Sequence, residues 1–288
     1  MKHRAHMLSS MLAAASLAAS LAALLAGCEA TRTCGEPPVP GAQEVWLIDS
    51  LQFGRIESNI SEGFDLDDLI GMQCARRDYT DPDGLRGIDN ALAGLLPVVE
   101  AQAVGGQHLD YLLEDSIAAG QILLAFELAG VDDERDDGCF GVRMRRLSGE
   151  PLLGTDNLLL GGQTLYPDTS APISELGAAE MLAGRLETEP ADIVLPISIL
   201  DARFTLNLLG GRVRITRVSE DRIEGVIAGG IDIEEIFAVV ATLNIPSDLM
   251  ATAEALIRTN ADLALIDGAC SQLSAVLVFT AVPGFIAE

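Results

Sequence analysis

Lysine is almost absent from this sequence, and histidine is scarce. Lys2 is the only lysine among 288 residues, and the other basic side chains are arginines. A chain without lysine beyond its first residues offers no Schiff-base nucleophile, no phosphate-binding loop of the G-x-x-x-x-G-K type and no Ser-Lys pair. His108 is the only histidine after residue 6, so multi-histidine metal sites are excluded as well. His108 stands at the predicted start of a helix, where a solvated side chain is the simplest interpretation.

Aromatic residues are also few, at 4% of the chain, and Trp46 is the only tryptophan. Sugar rings commonly stack on aromatic side chains, so this scarcity weighs against a glycosidase, although the paired carboxylates that such an enzyme needs are available. The formal charge of −25 repels nucleic acid, and we expect no nucleic-acid partner. A solvated acidic surface is the simpler explanation of that charge, and cation binding is the alternative.

The N-terminus carries the clearest motif. Lys2 and Arg4 precede an apolar run over residues 11–25, which is too short to span a bilayer comfortably and fits the core of a signal peptide. The run ends in Leu25-Ala26-Gly27-Cys28, which resembles the lipobox of bacterial lipoproteins. The resemblance implies that residues 1–27 are removed and that acyl chains on Cys28 anchor the protein to a membrane of the cell envelope. Glu29, in place of an aspartate, favours the outer membrane over the inner one.

Four further cysteines, in an exported protein, predict two disulfide bonds. They are Cys34, Cys74, Cys139 and Cys270, and three pairings are possible. We favour Cys34 with Cys74, which would close the N-terminal segment locally, and Cys139 with Cys270, which would tie the middle of the chain to its end. A zinc site is a poor alternative because the sequence has no C-x-x-C pair.

An aspartate-rich segment at residues 78–90 is the best candidate for a metal site. Asp81, Asp83, Asp89 and Asn90 place short oxygen-bearing side chains around two glycines, which resembles part of a calcium-binding loop. The segment departs from the full EF-hand pattern, because the twelfth position would be Asn90 instead of glutamate. The alternative is a turn followed by an Asp or Asn helix cap. Calcium is therefore the one cofactor that the sequence suggests.

Apolar periodicity indicates the fold class. Helical spacing predicts helices near residues 88–99, 109–117 and 233–240, and alternation predicts a hairpin from residues 122–128 and 140–144. Residues 273–282 are apolar on both faces, as in a strand covered on each side. Strands come in runs and helices in pairs, so we predict an α+β fold, a mostly antiparallel twisted sheet with helices packed on it. After a flexible tether at residues 28–44, residues 45–288 form either one globular domain or two lobes that meet near the Gly- and Pro-rich residues 150–177.

Two classes of function remain open. The residue inventory favours a non-enzymatic binding or structural role in the cell envelope, and an apolar ligand or a protein would be the partner. The alternative is a carboxylate-based hydrolase, assisted by calcium. A large apolar cavity would favour the carrier, carboxylates converging in a cleft would favour the enzyme, and a filled core would favour a structural role.

Overall fold

The computed structural model describes residues 43–72, 74, 77–102, 108–199, 202–242 and 247–287. The strands are β1 (Gln43–Phe53), β2 (Tyr79–Thr80), β3 (Arg86–Ile88), β4 (Leu123–Ala129), β5 (Asp137–Ser148), β6 (Thr164–Pro167), β7 (Ser174–Leu182), β8 (Arg185–Glu187), β9 (Ala191–Ile199), β10 (Ala202–Ser219), β11 (Arg222–Asp232), β12 (Leu263–Ile266), β13 (Ala269–Pro283) and β14 (Phe285–Ile286). The helices are α1 (Ala91–Gln102), α2 (Leu109–Ala118), α3 (Ile233–Thr242) and α4 (Ser247–Asn260). The predicted signal peptide, Cys28 and Cys34 lie outside the described residues.

Eight strands form a closed antiparallel barrel. Their order is β5-β4-β1-β13-β11-β10-β8-β7, and β7 pairs back with β5. The α+β prediction, a sheet with helices packed on it, is therefore wrong. The strands themselves were visible in the sequence, but inward and outward residues alternate in the same way in an open and a closed sheet. Closure depends on the second pairing of β5, between residues far apart in the chain.

Apolar side chains fill the barrel. One contiguous core cluster takes residues from all eight barrel strands. The rings of Phe126 and Phe279 lie with their centroids 5.0 Å apart. Gly225 pairs with Phe279 across β11 and β13, and a Cβ atom at Gly225 would come within 2.7 Å of the Phe279 ring. The glycine therefore leaves room for a large aromatic side chain inside the barrel.

The two ends of the barrel are covered differently. Leu113 and Ile117 of α2 are buried in the core cluster and close the end where β1 finishes. At the other end the Arg217 guanidinium stacks 5.1 Å from the Trp46 ring centroid and donates a 2.6 Å hydrogen bond to Glu44. A cation over an aromatic face with a carboxylate partner is a stable arrangement for a largely buried arginine.

Two layers pack on the outside of the barrel wall. Residues 54–90 place Phe64 against Val226, Ala228 and Val276, the outward residues of β11 and β13. Helices α1, α3 and α4 form a second apolar cluster around Leu273 at the start of β13. This double coverage explains why β13 is apolar on both faces, as the sequence predicted. Within the described residues no helix is both long and apolar enough to cross a membrane.

A disulfide joins the first layer to the barrel. Cys74 bonds to Cys270, with their Cα atoms 5.8 Å apart. Both favoured pairings are therefore wrong, because each assigned one of these two cysteines to a different partner. Cys139 also forms a disulfide. Proximity in sequence suggested that Cys74 belonged with Cys34, whereas the fold brings residue 74 to the β12–β13 hairpin.

Candidate functional site

An open groove of about 620 Å³ lies on the outer wall of the barrel. Its base is formed by outward-facing residues of four neighbouring strands, β1, β13, β11 and β10. Glu62, Pro82 and Asp83 from the first outer layer contribute to its sides, together with Leu158 and the α2 residue Glu114. The groove is thus built by the rigid barrel and bordered by the connecting segments that pack around it.

A row of polar side chains crosses the base of this groove. Thr216 of β10 pairs with Glu224 of β11, Glu224 pairs with Thr280 of β13, and Thr280 pairs with Ser50 of β1. Directly paired residues in adjacent strands project from the same face with Cβ atoms about 5 Å apart. Three hydroxyl groups and one carboxylate therefore point outward in one line. We call Ser50, Thr216, Glu224 and Thr280 the polar row.

Most charges at the edge of the groove are already paired. Arg214, which is nearly buried, donates to Glu187 at 2.8 Å and lies 3.6 Å from Glu62. Arg185 contacts both Asp83 and Glu187 at 3.1 Å. Burial alone would raise the pKa of Glu187, but the hydrogen bonds from Arg214 and Arg185 outweigh it and hold that pKa below its usual value. These groups form an ion-pair network that fixes the groove wall.

Arg222 and Glu224 are the two charged side chains that β11 presents to the groove. Both project outward from β11, two residues apart and so about 7 Å apart along the strand. The Arg222 guanidinium is 40% exposed and has one contact, at 3.6 Å, with the buried carboxylate of Asp49. Asp49 also accepts a 2.6 Å hydrogen bond from Thr280. Glu224 is exposed, and the described residues form no ion pair with it.

A carboxylate cluster lies within the first outer layer, residues 54–90. Asp65, Asp67 and Asp89 bring carboxylate oxygens within 4.8 Å of one another. Asp89 is 1% exposed and accepts a 2.7 Å hydrogen bond from the Leu66 N–H. Oδ1 of Asp65 is buried and has no hydrogen-bond partner among the described residues. Burial raises the pKa of all three groups, and it raises that of Asp89 to about 8.

The residues predicted to bind calcium are not brought together. Asp81 accepts a 2.7 Å hydrogen bond from the Leu85 N–H and closes a turn, and Asp83 pairs with Arg185. Asn90 donates to Ser61 Oγ at 2.8 Å. Asp89 alone joins the carboxylate cluster. Calcium binding stays a prediction, and its geometry now involves Asp65 and Asp67, which the sequence analysis missed although their D-x-D spacing was visible.

His108 lies beside a smaller pocket of about 450 Å³. The Arg55 guanidinium contacts both carboxylate oxygens of Glu100, at 2.7 and 3.0 Å, and Asp110 at 2.6 Å. Arg55 holds the pKa of Glu100 below its usual value. His108 Nδ1 lies 3.4 Å from Glu100, and the imidazole is 63% exposed. This arrangement clamps α1, α2 and β1 together, and His108 precedes α2 as the sequence indicated.

Comparisons with protein-family models, with curated proteins and with solved structures find no match to this chain. The groove and the carboxylate cluster are therefore interpreted from their own chemistry. Neither Arg222 nor the polar row could be singled out in the sequence. Their signal was the alternation of polar residues on the outward face of predicted strands, which is also the pattern of an ordinary solvated surface.

Proposed function

We propose that this protein is a non-enzymatic, lipid-anchored binding protein of the bacterial cell envelope, and that it holds a polar ligand in the groove on the outer wall of its barrel. The lipobox resemblance at residues 25–28 supports the anchor, and Glu29 favours the outer membrane. One observation carries the binding role: the groove presents the polar row and Arg222 to solvent, while the barrel interior is filled.

A filled interior argues against an apolar ligand carried inside the barrel. Carriers of this kind need a cavity lined by apolar side chains. Here Phe126, Phe140 and Phe279 are almost fully buried in the continuous core cluster, and α2 covers one end. The partner in this proposal therefore binds outside the barrel, and the membrane is contacted through the lipid anchor.

The pairing of the groove carboxylates argues against the hydrolase alternative. A glycosidase-like mechanism needs two carboxyl groups free to act as acid and base. Asp83 is held by Arg185, Glu62 lies beside Arg214, and Glu114 accepts a 2.7 Å hydrogen bond from Gln52. Because each of these three carboxylates already has a polar neighbour among the described residues, none of them is a free partner for Glu224, and a binding role fits the geometry better.

The proposal is tested by blocking the groove. Protein expressed from the full chain would be screened by thermal shift against amino acids, peptides, sugars, nucleotides and fatty acids. We expect polar compounds to raise the melting temperature, and Ser50→Trp, which fills the groove, to abolish the shift. Ser148→Trp places the same bulk at the exposed end of β5, outside the groove, and should leave the shift intact. The proposal would be contradicted if polar compounds still raised the melting temperature of Ser50→Trp, or if fatty acids alone raised that of the parent protein.

A further inference from the structure

The charges left open in the groove indicate the chemistry of its ligand. At its edge three guanidinium groups, Arg185, Arg212 and Arg214, lie against three carboxylates, Glu187, Glu62 and Asp83, in one ion-pair network. The network as a whole therefore offers little net charge to a ligand. Outside it, β11 presents one carboxylate, Glu224, and one guanidinium, Arg222, to the groove, and α2 adds Glu114, which accepts a hydrogen bond from the neutral Gln52.

Glu224 suits a cationic group. Its carboxylate lies in the polar row between Thr216 and Thr280, whose Cα atoms are its cross-strand partners on either side. A primary ammonium group has three N–H donors, and one carboxylate with two flanking hydroxyl oxygens offers an acceptor to each. A ligand ammonium at this point would have its three hydrogen bonds satisfied by Glu224, Thr216 and Thr280.

Arg222 suits an anionic group. Its contact with Asp49 at 3.6 Å involves one nitrogen, whereas a guanidinium carries five N–H donors in a planar fork. That fork matches the two oxygens of a carboxylate or a phosphate. Asp49 is buried whereas the Arg222 side chain is 40% exposed, so the pair leaves part of the guanidinium accessible to a ligand.

From these two groups we infer that the groove binds a zwitterionic small molecule, with an ammonium group at Glu224 and a carboxylate or phosphate group at Arg222. This inference rests on the proposed function and specifies its ligand class. A simple anion would face Glu224, a simple cation would face Arg222, and an uncharged apolar compound would desolvate Glu224 without a partner and leave Arg222 with Asp49 alone. Only a molecule with both charges, separated by a few bonds, compensates both.

The test uses calorimetric titration of protein expressed from the full chain. The zwitterionic probes are alanyl-alanine, which carries a carboxylate, and O-phosphoethanolamine, which carries a phosphate. Propionate and propylamine carry one charge each. We expect at least one zwitterion to bind about tenfold more tightly than either single-charge probe, which is the effect of one additional charge-assisted hydrogen bond. The tighter zwitterion then distinguishes a peptide-like ligand from one like a phospholipid headgroup.

Matched variants locate the binding. Glu224→Gln and Arg222→Gln should each weaken binding of the preferred zwitterion about tenfold or more. Glu220→Gln removes an exposed carboxylate from the neighbouring turn, outside the groove, and should change nothing. Thermal melts of each variant confirm that it folds.

Two results would overturn the inference. The first is zwitterion binding that is equal in Glu224→Gln, Arg222→Gln and the parent protein. The second is binding of propionate or propylamine as tight as that of the zwitterions. If such single-charge binding were lost in Arg222→Gln or in Ser50→Trp, the groove would remain the binding site and only the ligand class would be wrong. Absence of any groove-dependent binding would remove the proposed function itself.

Discussion

Asp89 is a carboxylate placed where an ionised group is poorly solvated. Its side chain is buried, and the nearby carboxyl groups of Asp262, Asp67 and Asp78 add to the effect of burial, while the Leu66 N–H opposes it. Together they raise the pKa of Asp89 from 3.8 to about 8. Asp262, also buried, has a pKa of about 6. Protons bound at these groups therefore belong to the folded state.

This predicts a stability that falls as the pH rises. The folded-state pKa of Asp89 lies above the unfolded value, so its contribution is fully present below about pH 4 and is lost as the pH rises through about 8. Over that window the free energy of unfolding should fall by about 1.4 kcal/mol per pH unit for each proton that the folded state alone retains. Urea denaturation at a series of pH values measures this slope.

Asp89→Asn provides the decisive comparison for that slope. The amide imitates the neutral carboxyl and can still accept from Leu66, so the variant should gain stability over the parent above pH 8. Asp221→Asn, an exposed control, should leave the slope unchanged. Equal slopes in the parent and Asp89→Asn would contradict the assignment.

Millimolar calcium should raise the melting temperature of the parent at pH 8 if a cation replaces the proton in the carboxylate cluster. No change in melting temperature would contradict the calcium prediction.

At the scale of residues, the sequence pointed to Asp89 as a candidate metal ligand, which stays a prediction, and it did not identify the carboxylates that lie beside Asp89. Asp89 was recognised as a candidate ligand, but the partners assigned to it were Asp81 and Asp83, which are closest in sequence. The structure brings Asp65 and Asp67 to it instead. In its turn, the Asp81 carboxylate accepts a hydrogen bond from a backbone N–H and is therefore not available to a carboxylate cluster. This role of Asp81 cannot be inferred without knowing the geometry of the turn.

At the scale of elements, the Cys74–Cys270 disulfide connects two segments separated by 196 residues. It holds the layer of residues 54–90 against β13. Cross-linking residues this far apart restricts the unfolded chain strongly. We expect the double variant Cys74→Ser/Cys270→Ser to lose about 2–5 kcal/mol of unfolding free energy in urea titrations.

A double variant is preferable to a reducing agent here, because reduction would also affect the disulfide of Cys139. Ser148→Ala, an exposed substitution at the end of β5, serves as a control for general sensitivity to mutation. Unchanged unfolding free energy in the double variant would show that the layer is held by apolar packing alone.

Elements were predicted best where their pattern is local. The hairpin of β4 and β5 and the doubly covered strand β13 match the predicted segments, and α2 begins beside His108 as expected. Their pattern repeats every two or 3.6 residues and depends on burial alone. Pairing partners were not predictable in this way. The barrel neighbours of β13 are β11 and β1, and β1 is the first strand in the sequence.

At the scale of the whole molecule, the lipid anchor remains a prediction from the motif at residues 25–28. Cys28→Ala removes the thiol that would carry the acyl chains. We expect the variant to move from the membrane fraction to the soluble fraction, because two or more acyl chains are needed for stable anchoring. Fractionation followed by immunoblotting measures this.

Ser148→Ala is the control for that experiment, since it changes an exposed residue outside the motif and leaves the other cysteines in place. Its membrane retention should equal that of the parent. Membrane retention of Cys28→Ala at the level of the parent, or mass spectrometry that finds Cys28 unmodified, would contradict the lipoprotein prediction.

The pairing of β1 with β13 also brings the two ends of the described chain together. Trp46 near the start of β1 pairs with Pro283 near the end of β13, and the Gly284 N–H donates a 2.9 Å hydrogen bond to the Val45 carbonyl. A short linker could therefore join these ends directly, so that a circularly permuted chain opened at the Glu220–Asp221 turn would retain every barrel pairing. A reporter joined to the described C-terminal end would emerge beside β6, because the Ala287 N–H donates a 2.8 Å hydrogen bond to the Leu165 carbonyl.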